Sequence, residues 1–205
     1  MPVWIPSAYA GVIRLANSLN RKGLPASAQD LWILGDTYMT DTKAREKSNL
    51  KKIAIGGIFA AFVFIGTELH IPTAIGFMNL GDAVIFLAAY LIGPAAILPA
   101  AIGSALGDLL AGYPIYIVPT FVIKGLMALI TALIINRRSG KKITFMKRLT
   151  AGLASEALMI AGYFAFELFL YGLTAAAGSI LFNLIQALAA LVVAIPLTYV
   201  LRLKL

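Results

Sequence analysis

The stretch MNLGDAVIFLAAYLIGPAAILPAAIGSALGDLLAGY, residues 78–113, sets two acids, Asp82 and Asp108, in almost wholly apolar sequence. Its apolar residues do not alternate with polar ones, as a barrel strand facing lipid on one side requires, so the stretch reads as helix. Gly93-Pro94 divides it, because glycine ends a helix easily and proline starts the next one well. Gly112-Tyr113-Pro114 closes it in the same way.

The rest of the chain has the same character. Of 205 residues, 60% are hydrophobic and 13% charged, and the mean hydropathy is +0.90. An integral membrane protein follows, one whose backbone must satisfy its own hydrogen bonds inside lipid. A crossing needs about 20 helical residues, fewer where flanking polar groups snorkel. Six segments meet that need, at residues 50–67, 77–92, 94–112, 114–136, 147–171 and 177–201, the second of them short. The fold expected is an all-α bundle of six transmembrane helices, with kinks at Pro99, Pro119 and Pro196.

Basic residues set the expected orientation. Lys43, Arg45, Lys47, Lys51 and Lys52 precede the first segment, and Arg137, Arg138, Lys141, Lys142, Lys147 and Arg148 join the fourth to the fifth. Arg202 and Lys204 follow the sixth, while the alternate connections carry neither lysine nor arginine. The positive-inside rule then puts both termini in the cytoplasm, and the net charge of +8 reports topology, not a nucleic-acid partner. Residues 1–38 lack the basic start and apolar core of a signal peptide and read as an extension; 39–50 read as a basic cytoplasmic tail and 51–205 as the membrane domain. The context of Met39 suggests that translation starts there.

Cysteine is absent, which excludes disulfides, thiolate ligands and cysteine nucleophiles, and the one histidine, His70, reads as a solvated loop residue. No G-x-x-x-x-G-K-[ST], H-E-x-x-H or G-x-S-x-G occurs, so the chain offers no phosphate cradle, zinc helix or nucleophile elbow, and no cofactor is expected on it. The intramembrane polar residues carry the functional signal, because each charge there costs about 2.5–3.5 kcal/mol to insert. In the expected topology they gather in the outer half of the bundle. Asn79, Asp82, Asp108, Tyr113, Tyr116, Lys124, Tyr163, Glu167, Asn183 and Gln186 are the candidate walls of an outward pocket, with the 68–79 loop as its lid. Acids outnumber the one lysine there, which favours a neutral or cationic ligand rich in donors that can stack on tyrosine. Lys124 is expected to neutralise Glu156 or Asp108. Small residues mark close helix contacts: Gly103 and Gly107 within the bundle, and Gly56, Gly57, Ala60 and Ala61 on the first helix as a face for another subunit.

Residues 51–201, and most of all NLGDAVIFLAA, GSALGDLL and FVIKGLM, resemble the substrate-binding S component of energy-coupling factor (ECF) transporters, in the branch that holds riboflavin, pyridoxine and hydroxymethylpyrimidine types. The resemblance implies six helices and an extracytoplasmic vitamin site. It also implies partners: one transmembrane coupling subunit and two ATPase subunits that use the ATP, with transport by toppling of the S component. The family's alanine-x-x-x-alanine docking motif is altered here to Gly56 with Ala60 or Gly57 with Ala61. Two readings of other classes stand beside it. One is a proton-coupled secondary carrier using Asp82, Asp108 or Glu156, and the other an intramembrane lipid-modifying enzyme.

Overall fold

The structure, a computed structural model, describes residues 17, 28–73, 77–136 and 143–201. The basic residues Arg137, Arg138, Lys141, Lys142, Arg202 and Lys204, and residues 74–76 of the expected lid, lie outside the described residues. The chain divides into two compact units, Met1–Ile53 and Ala54–Leu205. In the first, α1 (Ala28–Glu68) begins, and its exposed surface carries an Asp41–Arg45 ion pair at 3.1 Å, one turn apart.

In the second unit, α1 runs to Glu68 and is followed by strands β1 (His70–Pro72) and β2 (Phe77–Asn79). Helices α2 (Gly81–Ile92), α3 (Ile97–Leu110), α4 (Ile117–Ile135), α5 (Phe145–Tyr171) and α6 (Leu173–Val200) complete it. Short 3-10 turns, Gly93–Ala96 and Pro114–Tyr116, lead into α3 and α4. Five helical runs among the described residues are long and apolar enough to cross a membrane: Met39–Glu68, Gly81–Leu110, Pro114–Ile135, Phe145–Tyr171 and Leu173–Val200.

The 30-residue run Gly81–Leu110 is not straight. Gly93 breaks it with φ 62°. A Cβ built on Gly81 would stand 2.6 Å from Thr67 Oγ1, and one built on Gly107 would stand 2.9 Å from Thr67 Cβ. In one helix those two glycines would be ~39 Å apart, so α2 and α3 fold back on each other as a hairpin whose open end straddles Thr67. All of α2 except Val84 and Ile92 is buried, as expected of a helix apolar all round. It packs against α4 and α6 and joins both halves of the core, one centred on Ile85, Met127 and Met159, the other on Phe86, Ile135 and Ala194. The outer faces of the bundle present large apolar side chains, among them Val118 and Phe169, to the surroundings.

Several expected boundaries shift. The segment expected as helix from residue 77 begins instead as strand β2, paired antiparallel with β1 in the register His70–Asn79, Ile71–Met78 and Pro72–Phe77. The helix starts only at Gly81, whose N–H donates to Asn79 Oδ1 at 2.9 Å. His70 is therefore not a solvated loop residue: it is half-buried, 4.6 Å from the Phe77 ring. Helix α6 begins at Leu173, because the single residue Gly172, at φ 82°, suffices to reverse the chain. Pro99 and Pro119 stand in the first turns of α3 and α4, where no N–H is required, so of the three only Pro196 interrupts a helix interior.

Glycine sets the closest helix approach. At Gly103 a Cβ would collide with the carbonyl of Ala60 and stand 2.9 Å from Val63 Cβ, both on α1. At Gly57, by contrast, a Cβ meets nothing within 4 Å. Gly103→Ala should thus lower stability by about 1–3 kcal/mol, whereas Gly57→Ala should leave it unchanged or raise it slightly. Paired thermal-unfolding curves in detergent check this, and equal midpoints for the two variants would contradict it.

At the end of the bundle away from the β-hairpin, Arg148 of α5 is buried between two rings. Its guanidinium lies 4.1 Å from the Tyr199 ring of α6 and 5.5 Å from that of Tyr90 of α2. It donates to the Tyr90 hydroxyl at 3.1 Å and to the Ile143 carbonyl at 2.6 Å.

Candidate functional site

A chain of polar contacts begins with Asp82, in the first turn of α2 and 0% exposed. It forms an ion pair with Lys124 of α4, itself 2% exposed. Its second oxygen accepts from Gln186 Nε2 of α6 at 2.6 Å. Gln186 Oε1 in turn accepts from the Asn79 N–H of β2 at 2.8 Å. One carboxylate thereby fixes the positions of α2, α4, α6 and the hairpin. Lys124 Nζ also lies 5.3 Å from the centre of the Tyr163 ring, a favourable place for a desolvated ammonium. Glu156 of α5 is buried nearby with neither oxygen hydrogen-bonded, close enough to Lys124 and Asp82 for their charges to act on it.

Above this floor is a cavity of about 510 Å³, its open mouth included. The hairpin lines it with Thr73, Phe77 and Asn79, α3 and the turn after it with Asp108 and Tyr113, and α4 with Thr120 together with the preceding Tyr116. Tyr163 and Glu167 come from α5, and Ser179, Phe182, Asn183 and Gln186 from α6. The aromatic rings form a connected wall: His70 on Phe77, Phe77 on Tyr113 at 5.2 Å, Tyr113 on Tyr116 at 6.3 Å and Tyr116 on Tyr163 at 6.3 Å. Hydrogen bonds hold its polar members. Thr120 and Tyr163 share one at 2.9 Å, Tyr116 donates to Glu167 Oε1 at 3.4 Å, and Ser179 donates to the other Glu167 oxygen. Such a mix of flat rings with a few fixed polar groups suits a small planar molecule.

Eight of the ten candidate wall residues line this cavity: Asn79, Asp108, Tyr113, Tyr116, Tyr163, Glu167, Asn183 and Gln186. Asp82 and Lys124 do not. They are bonded to each other one layer further in, so Lys124 pairs with Asp82 and not with Glu156 or Asp108. The reason is register: Lys124 lies one turn beyond the wall residue Thr120 on α4, level with the start of α2. Thr120, Ser179 and Phe182 are liners that the sequence reading omitted, and Thr73 and Phe77 line the cavity from the segment expected as its lid. Ser179 precedes Asn183 by one turn and Thr120 follows Tyr116 by one turn, so extending each helical face would have found both. Among the described residues, no three histidine, aspartate or glutamate side chains come together to hold a metal ion.

The four small residues of α1 part into two faces. Gly56 and Ala60 turn toward α3: a Cβ on Gly56 would stand 3.5 Å from Pro99 Cγ, and the Ala60 carbonyl abuts Gly103. Gly57 and Ala61 are exposed.

A protein of Pyrococcus woesei described as "Uncharacterized protein in gap 3'region" is 31% identical over 136 residues, which is 66% of this chain and 88% of that one. The model of the family "ECF-type riboflavin transporter, S component" matches residues 47–203, a span that holds the α2–α3 hairpin, the Asp82–Lys124 floor and every residue that lines the cavity. The chain is therefore a multi-pass membrane protein that belongs to the ECF-type riboflavin transporter S component family.

Proposed function

We propose that this chain captures a small vitamin or vitamin precursor of riboflavin, pyridoxine or pyrimidine type from outside the cell. It delivers that molecule through a coupling subunit and two ATPase subunits, which supply the ATP hydrolysis. The observation that carries the reading is the ring-lined cavity between the β-hairpin and the ends of α3 to α6, set above the Asp82–Lys124 ion pair. Six crossings with both termini in the cytoplasm fit it. The fold-back at Gly93 supports counting α2 and α3 as separate crossings, a count that agrees with an outward-facing β-hairpin and cavity. The coupling subunit docks on the Gly57–Ala61 face, since Gly56 and Ala60 already pack against α3.

A thermal-shift panel on the purified chain tests the capture step, because a ligand that binds only the native state stabilises it by mass action, by about 2.7 kcal/mol at a hundred times its Kd. Riboflavin, pyridoxine and hydroxymethylpyrimidine are tested against thiamine, pantothenate, folate, biotin and cobalamin. The expected result is a shift with a member of the first group and none with folate or pantothenate. A panel without any shift would refute the reading. The partnerless Glu156 is the one observation that favours a proton-coupled carrier instead. Uptake into liposomes by this chain alone, collapsed by a protonophore, would support that second reading.

A further inference from the structure

The polar groups of the cavity divide into those already engaged and those left over. Gln186 uses its oxygen on the Asn79 N–H and its nitrogen on Asp82. Glu167 accepts from Tyr116 and Ser179, Thr120 and Tyr163 hold each other, and Thr120 also reaches the Asp108 carboxyl. Two liners keep a buried polar atom with no hydrogen-bond partner: Asp108 through Oδ2 and Asn183 through Nδ2. Asp108 is 5% exposed. A buried carboxylate oxygen without a donor is costly, so a donor arriving on a ligand has most to gain there.

Charges of both signs act on Asp108, Lys124 ahead of Glu68. Glu68, the last residue of α1, has its own partnerless buried oxygen, 3.6 Å from where a Cβ on Gly107 would stand, and its charge repels that of Asp108. Glu167 faces the cavity from α5, and His70 of β1 adjoins it behind Phe77. Lys124 of α4 attracts Asp108 from below but is bound to Asp82. The acids are too dispersed to hold a metal ion. Together with the Phe77–Tyr113–Tyr116 wall they suit a flat organic cation, which gains from both the carboxylates and the ring faces.

We infer that the substrate is a planar, weakly basic nitrogen heterocycle of aminopyrimidine or pyridine type, bound with its ring nitrogen protonated by a proton taken from solvent. Its N–H donates to Asp108 Oδ2, Glu68 reinforces the charge match, and an acceptor elsewhere on the molecule takes the Asn183 amide. This rests on the vitamin-capture reading and narrows it, placing the non-basic flavin ring below the smaller basic rings.

Isothermal titration of the full chain in detergent tests the assignment, with hydroxymethylpyrimidine, pyridoxine and riboflavin as probes on wild type, Asp108→Asn and Glu68→Gln. One of the two smaller rings should bind at least about tenfold tighter than riboflavin, and Asp108→Asn should weaken it by about 10- to 100-fold, the range for a hydrogen bond to a charged group. Glu68→Gln, which removes charge without a direct bond, should weaken it by roughly threefold to tenfold. Riboflavin binding tightest, or Asp108→Asn leaving the tightest probe within about twofold, overturns the inference while the capture reading stands. Failure of all three probes to bind a monodisperse wild-type chain overturns both. If a variant does not fold, the wild-type ranking of the probes decides.

Discussion

Lys124→Met should cost the bundle about 3–5 kcal/mol and abolish substrate binding. The substitution nearly keeps the length of the side chain but leaves Asp82, 0% exposed, as a buried anion without its ion-pair partner. Few changes destabilise a protein more than an uncompensated charge, and lipid around the bundle offers no water to rescue it. The damage should spread to the cavity, because Asp82 orients Gln186 and Gln186 orients Asn79, and both line it. The double variant Lys124→Met with Asp82→Asn separates charge from shape. It removes both ions, while the asparagine carbonyl still accepts from Gln186. It should therefore regain most of the lost thermal stability and part of the binding. Equal unfolding midpoints for the single and double variants would show that the pair's electrostatics do not govern the effect.

Gly57→Leu should leave substrate affinity within about twofold and lower uptake by about tenfold or more in vesicles that also contain the coupling and ATPase subunits. Gly57 and Ala61 lie one turn apart on the exposed side of α1, and nothing within 4 Å would meet a Cβ at Gly57. The chain's own packing therefore does not require a glycine there. A small pair at that spacing lets a second helix approach closely, and a leucine would hold it away. Gly56→Leu is the contrast: with Pro99 3.5 Å from its Cβ position, it should disturb the α1–α3 contact and stability itself. Uptake unchanged by Gly57→Leu, or binding lost together with uptake, would contradict docking on this face.

Much of this arrangement is legible in the sequence where physics is local. Gly93-Pro94 and Gly112-Tyr113-Pro114 mark the turns, because glycine and proline act through their own backbones. Gly103 and Gly107 announce a close helix contact by lacking a side chain, and α1 fills it. What eludes the sequence depends on partners distant along the chain. Phe77 and Met78 are as apolar as the helix that follows, so nothing in them signals a strand until Pro72 and Ile71 pair with them. Lys124 has three acids within sequence-level reach, and only the level at which α2 enters the bundle selects Asp82. Polar wall residues stood out because they are rare in apolar helices. Phe182 and Phe77 did not, since an aromatic facing a cavity looks in sequence like one facing lipid.

The Arg148 clamp ties the bundle at the end away from the cavity by packed rings, whereas the cavity end is held by single hydrogen bonds. A guanidinium held between the rings of Tyr90 and Tyr199 staples α2, α5 and α6 together at the side away from the cavity. Helices joined at one extremity behave as the tines of a fork: they splay at their tips and hardly move at the handle. If the cavity takes a guest as proposed, small angular spreading at the mouth would give it room. The stem below would stay shut, so the membrane would keep its seal while the site fills.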